Sequence, residues 1–250
     1  MDTHYLLEMQ LLRDKIESFD GYPYSLPLIK NFKTLKFHPN VTFIVGENGS
    51  GKSTQLEAIA TAWGFNPEGG TKNFNFKTRS SHSNLWSKVR LSKSFRHPQD
   101  GFFLRAESFY NVATNIDELD ESFSFGPPIK DSYGGVSLHN QSHGESFLSL
   151  MIERFGGDGL YILDEPEAAL SPTRQLAVLS RMAQLIKNNS QFVIATHSPI
   201  LMAYPGALIY QIDESGISPI RYEETEHYEI TKAFLNNPEP MLKELGAIDT

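Results

Sequence analysis

Eight residues, Gly46-Glu-Asn-Gly-Ser-Gly-Lys-Ser53, constrain this chain more than any other part of it. They follow Val41-Thr-Phe-Ile-Val45, a β-branched, nearly all-apolar run that predicts a strand buried on both faces. They precede Leu56, Ile59, Ala60 and Trp63, which recur at helical spacing until Gly64 stops the helix. A glycine-rich loop between a buried strand and a helix presents successive backbone N–H groups to an anion, and the helix adds its positive end. Two glycines separated by four residues and followed by Lys-Ser fit a polyphosphate. In that setting Lys52 bridges β- and γ-phosphates and the Ser53 hydroxyl takes a Mg²⁺ position. Gly46, Glu47, Asn48, Gly49, Ser50, Gly51 and Thr54 complete the expected nucleotide contact.

A second unit of the same kind begins at Gly159-Leu-Tyr-Ile-Leu163 and ends in Asp164-Glu165-Pro166. Two carboxylates at the C-terminal end of a buried strand lie where phosphate loops lie in a parallel sheet. Asp164 is the expected metal-shell ligand and Glu165 the group that polarises the attacking water. Acidic residues and proline also simply end strands, so this reading depends on Lys52 and Ser53 being present. Ser171-Pro172 supplies an N-cap and a first-turn proline for a helix carrying Leu176, Leu179, Met182 and Ile186. Gln191–Thr196 is the next expected strand and Leu208–Ile212 another. His197 leaves a strand sequentially next to the one bearing Glu165, close enough to reach a γ-phosphate or its water. The other seven histidines show no metal-ligand spacing and no assignable role. Ser142-His-Gly-Glu145 opens a helix with Phe147, Leu150, Met151 and Phe155. Ser142 and Glu145 make a capping box, and a capped helix start is also an anion-binding surface. Strands alternating with helices predict an α/β fold with a mostly parallel sheet flanked by helices.

The alternation breaks between residues 66 and 140, a stretch rich in Ser, Asn, Phe and Gly that predicts a smaller inserted lobe within one domain spanning 1–250. Within it, residues 71–99 carry Lys72, Lys77, Arg79, Lys88, Arg90, Lys93 and Arg96 and no acidic side chain. The net charge of −8 therefore combines +7 in that window with −15 elsewhere. Phe74, Phe76, Trp86 and Phe95 interleave with the cations, a pattern that can stack bases but more often marks a solvated basic lobe with a small core. There is no cysteine, which removes disulfides, thiolate metal sites and cysteine nucleophiles together. The charged N-terminus and the absence of any long apolar run predict a cytoplasmic protein without direct membrane insertion. No heptad run is present, which excludes long coiled-coil arms.

GENGSGKST, SHGES, LYILDEP, AALSP and ATHSP occur in the order found in the ABC-type ATPases. They resemble the Walker A loop, signature motif, Walker B strand, D-loop and H-loop of that superfamily. More narrowly, the chain is similar to small stand-alone bacterial ATPases carrying the AAA-family label, relatives of the structural-maintenance-of-chromosomes and recombination-repair ATPases. The resemblance implies a P-loop fold, ATP and Mg²⁺ as ligands, and Lys52, Glu165 and His197 as catalytic groups. It also implies a homodimer in which Ser142 and Gly144 of one protomer close over the nucleotide of the other. The departures matter. Gln141, His143 and Glu145 differ from the transporter signature, Ser171 stands where a D-loop aspartate is usual, and the lobe-linking glutamine is missing. Phe102–Glu107 is the expected counterpart of that segment, with Glu107 as a metal-proximal candidate. Tyr22, Tyr24, Phe32 and Phe37 all remain candidates for stacking adenine. A soluble ATPase homodimer is the first reading. The alternatives are a nucleotide-binding subunit powering a membrane transporter, and a nucleic-acid-linked ATPase of repair or anti-phage defence that uses the basic lobe for nucleic acid or a protein effector.

Overall fold

The structure, a computed structural model, describes residues 5–71, 83–105, 114 and 143–248. Among them β1 (Leu6–Leu11), β2 (Thr34–Lys36) and β4 (Val89–Lys93) form an antiparallel sheet in the order β2-β1-β4. The main sheet comprises β3 (Val41–Gly46), β5 (Asp100–Arg105), β6 (Gly159–Asp164), β7 (Gln191–Ala195), β8 (Leu208–Asp213) and β9 (Gly216–Ile220). Its order is β5-β6-β7-β3-β8-β9, parallel throughout except for the final β8–β9 pair. The helices are α1 (Pro27–Asn31), α2 (Lys52–Trp63), α3 (His143–Ser149, continued by a π-helical turn over Leu150–Arg154), α4 (Pro172–Lys187), α5 (Pro199–Met202), α6 (Glu226–Asn236) and α7 (Pro238–Glu244).

The central strands β3, β6 and β7 are buried on both faces, as their unbroken apolar runs require. Alternate residues feed two cores. Phe43, Tyr161, Leu163, Phe192 and Ile194 pack with Phe147, Val178 and Met182 of α3 and α4. Ile44, Ile162 and Val193 pack on the other face with Leu56, Ile59 and Trp63 of α2, and with Met9 and Leu35 of the small sheet. Gln191 ties the two sheets together. Its side-chain oxygen accepts from the Tyr5 and Leu6 amides at 3.0 and 2.8 Å, and its amide nitrogen donates to the Leu6 and His38 carbonyls at 2.8 and 3.0 Å. All of this polar side chain's bonding capacity is used, which is what makes its complete burial tolerable.

Two expectations need correcting. Asp100–Arg105, expected within the inserted lobe, is the edge strand of the main sheet, paired in parallel with β6 and burying Phe102, Phe103 and Leu104. The described remainder of that stretch contributes β4, which joins β1 and β2 from the N-terminal forty residues. Helix α4 buries Gln175, Val178, Met182 and Leu185, one residue round from the stripe read from the sequence, and Leu176 is 58% exposed. Its N-terminus is as expected: the Ser171 hydroxyl accepts from the Arg174 amide, and Pro172 occupies the first turn. Lys72, Lys77, Arg79, Phe74, Phe76, Glu107, Gln141 and Ser142 lie outside the described residues.

Candidate functional site

Parallel register brings the C-terminal ends of β3, β6 and β7 level. Ile44 pairs with Ala195, and Asp164 pairs with Ala195 from the other side. Three loops therefore leave the sheet at one edge, the position where α/β sheets bind ligands.

The loop after β3 depends on its glycines. Gly46, Gly49 and Gly51 have positive φ, at 152°, 80° and 101°. A Cβ at Gly46 would meet the Ile212 carbonyl oxygen at 2.7 Å, and one at Gly51 would meet a Leu26 methyl carbon at 2.9 Å. Lys52 opens α2 with its side chain folded back over the loop, donating to the carbonyls of Gly46 at 2.8 Å and Glu47 at 2.9 Å. Burial pushes its ammonium below the usual lysine range, and Glu165, Asp164 and Glu167 pull it back. Ser53 donates to Asp164 Oδ1 at 3.1 Å, so these two oxygen ligands from different motifs share one spot. That oxygen pair suits a hard cation such as Mg²⁺. Ser50 Oγ, in the same loop, is buried without a hydrogen-bond partner among the described residues. A buried cation held only by neutral carbonyls, beside an orphaned hydroxyl, is a site built for an anion that supplies the missing partners.

The loop after β6 carries Glu165 in the left-handed region, at φ 50° and ψ 53°. A non-glycine residue there costs about 1–3 kcal/mol and persists where surroundings over-determine it. Its amide donates to the Ala195 carbonyl at 2.9 Å, which fixes the turn to β7. Glu165 Oε1 lies 3.5 Å from His197 Nε2, too far for a strong hydrogen bond, and that imidazole nitrogen has no other partner among the described residues. Burial and then the Lys52 ammonium hold His197 below the usual histidine range, against the pull of Glu165. The site thus presents Lys52, Ser53, Asp164, Glu165 and His197 together, all five placed by three adjacent strand ends.

Two residues of this cluster were not legible in the sequence. Glu167 Oε1 accepts the His197 backbone amide at 2.6 Å and holds the loop after β7; burial raises its carboxyl above the usual range. His227, in the first turn of α6, brings its Nε2 to 2.9 Å from His197 Nδ1, although no spacing rule connects residues 197 and 227. Of the four aromatic candidates, Phe32 and Phe37 are core residues and Tyr24 is partly buried, donating to Asn84. Tyr22 is 67% exposed, with its hydroxyl 2.8 Å from Thr54 Oγ1 beside the phosphate loop. Gly144 belongs to α3, where a Cβ would meet the Ala169 carbonyl oxygen at 2.5 Å and Arg174 Nη1 at 2.7 Å. A cleft of about 380 Å³ opens between the loop after β3, the end of β8 and the start of α6. The phosphate loop from Gly46 to Ser50 lines one side of it, and Asp213, Glu214 and Glu226 the other.

Comparison with known proteins gives the family and the fold. The AAA domain family matches residues 15–147, and the chain belongs to that family. It is 35% identical over 185 residues to an uncharacterized ABC transporter ATP-binding protein of Haemophilus influenzae, covering 68% of this chain and 69% of that one. It is 24% identical over 172 residues to ABC transporter G family member STR2 of Medicago truncatula, covering 64% of this chain but only 24% of the plant protein's length. Among solved structures, cbiO1 of Clostridium perfringens, part of the ABC transporter complex cbiONQ, superimposes with a TM-score of 0.51 at 17% identity, over 98% of this chain and 100% of that one. The fold is that of ABC ATPase domains, and the chain is an ABC-ATPase-like nucleotide-binding domain. No helix among the described residues is long and apolar enough to cross a membrane.

Proposed function

We propose that the chain binds and hydrolyses ATP at the loop Gly46–Thr54, with Glu165 as the general base and His197 as a donor toward the γ-phosphate. The observation that carries this reading is the convergence of Lys52, the Ser53–Asp164 pair and the Glu165–His197 pair on one sheet edge. Lys52 leaves the loop carbonyls and neutralises the β- and γ-phosphate oxygens, which the loop amides also bind. Ser53 and Asp164 would hold Mg²⁺, which when bound supplies further neutralisation of phosphate charge. Glu165 accepts a proton from the attacking water, and His197 Nε2, otherwise unpartnered, donates to the terminal phosphate. Tyr22, exposed and anchored to Thr54, is the residue we assign to the nucleoside end. The domain acts as a homodimer, with Ser142 and Gly144 of one copy completing the site of the other. The basic window, of which β4 exposes Arg90 and Lys93, is the surface we assign to an anionic partner. Residues 1–250 act as one cytoplasmic unit.

The test is Glu165→Gln. The substitution keeps side-chain shape while removing basicity, so turnover should fall by about 10²–10⁴. Affinity for ATP–Mg²⁺ by calorimetry should stay within a few-fold, because the phosphate loop is untouched. Turnover that survives would remove Glu165 as the base.

A further inference from the structure

We propose that His227 is a positioning residue for the reaction: it holds the His197 ring in the tautomer that carries its proton on Nε2, facing Glu165 and the phosphate site. The assignment rests on the ATPase reading above for what His197 does, and on geometry for how it is held. His197 Nδ1 and His227 Nε2 are 2.9 Å apart, with the rings inclined at 56°. A neutral imidazole has one donor and one acceptor nitrogen, so one ring must donate and the other accept. If His197 donated from Nδ1, its Nε2 lone pair would face the Glu165 carboxylate at 3.5 Å, acceptor against acceptor. If His227 donates, His197 Nε2 carries hydrogen and faces a carboxylate, which is favourable. The hydrogen bond on one side of the ring therefore decides what the other side offers to the reaction.

The surroundings support a built contact. Helix α6 buries none of its residues, so core packing does not account for where it lies. Its start is nevertheless fixed. Thr225, completely buried, caps it by accepting from the Tyr228 amide and donates to the Tyr222 carbonyl at 2.8 Å. The Tyr222 hydroxyl donates to the Pro199 carbonyl at 2.9 Å, two residues beyond His197. The helix is thus pinned to the first residue of α5, directly after the loop whose histidine it touches. Glu167 fixes that loop from the other side through the His197 backbone amide. His197 is held at backbone and ring by two different elements, and only its Nε2 is left for a ligand.

The experiment reads tautomer and rate together. Nitrogen-15 correlation spectra of the wild-type histidine rings should show His197 as the Nε2–H form with Nδ1 accepting a hydrogen bond; an Nδ1–H form would overturn the proposal without any variant. His227→Phe should lower kcat by about 10- to 100-fold, the usual loss for a partner that orients a reacting imidazole. KM for ATP should change less than about twofold, since the phosphate loop is intact, and the His197 signals should move toward a tautomer mixture. His227→Gln, which restores an N–H donor at similar reach, should recover most of the rate and the tautomer. A wild-type rate and spectrum in His227→Phe would overturn the assignment of His227 alone, provided Glu165→Gln has lost turnover. Undiminished turnover in Glu165→Gln would instead remove Glu165 as the base that His197 faces, and a wild-type protein that turns over no ATP would overturn the ATPase reading beneath the proposal.

Discussion

Glu165 and His197 show how the site stores cost in single residues. Glu165 sits in left-handed backbone, and His197 and His227 face one another in a half-buried space beside a lysine. Both imidazoles are pushed below the usual histidine range, by burial first; Lys52 adds to this in both cases, while Glu165 opposes it for His197 and Glu226 for His227. A histidine whose folded value is depressed contributes stability that is present above its unfolded value of about 6.5 and is lost as pH falls through the folded value. Glu167, raised by burial, works in the opposite direction, since protonating it in acid relieves a buried charge. The contribution of the pair is therefore read by difference. From pH 7.5 to 5.5 the urea midpoint of the wild type should fall further than that of His227→Gln, which has one imidazole fewer to protonate and the same Glu167. Equal falls in the two proteins would show that the pair does not sense pH.

What could be read from the sequence was whatever local chemistry settles. The units β3–loop–α2 and β6–Asp164–Glu165 were legible because strand, loop and helix signals are contiguous, and Gly64 ends α2 with φ 112°, as a C-terminal glycine should. The face of α4 was misread because Gln175, a polar residue, occupies a core position. It is buried with its amide donating to the Leu170 carbonyl and its oxygen accepting from Ser198, so its burial follows from partners rather than hydrophobicity. The small sheet was invisible for another reason. β1 and β4 are short and more than seventy residues apart, and only tertiary pairing such as Met9 with Leu91 makes them a sheet. His227 belongs to this class too, since α6, held by the Tyr222–Pro199 bond, delivers it. Gly144 shows a motif residue with a local reason for its identity. Helix α3 approaches the Ala169 carbonyl so closely that a methyl group has no room, and the Glu145–Arg174 ion pair at 3.1 Å sits beside that contact. Gly144→Ala should destabilise the nucleotide-free protein by about 1–3 kcal/mol, the usual range for overpacking. Chemical denaturation checks this, and an unchanged midpoint would leave contact with a nucleotide as the only reason for the glycine.

Assembly is where these pieces must act together. Within one chain, Lys52, Ser53, Asp164, Glu165 and His197 gather at the sheet edge, where the proposed reaction assigns them a cation, two metal ligands, a base and a donor. The contact we assign to Ser142 and Gly144 is proposed to come from a second copy. On that proposal ATP is a ligand of the associated state, and such a ligand stabilises association by mass action. Hydrolysis would undo it by consuming the ligand. Glu165→Gln removes the consumption while leaving the loop that binds the phosphates, so this variant should accumulate the dimer. Light scattering is expected to show a monomer without nucleotide and a dimer at saturating ATP–Mg²⁺, with ADP–Mg²⁺ leaving the monomer in place. Adding Ser142→Arg should return the ATP-bound protein to monomer by placing bulk and charge in the contact, without changing the calorimetric affinity of a single chain by more than a few-fold. A Glu165→Gln protein that binds ATP in the calorimeter and still scatters as a monomer would remove the shared site, and would require the γ-phosphate to be enclosed by groups of one chain alone.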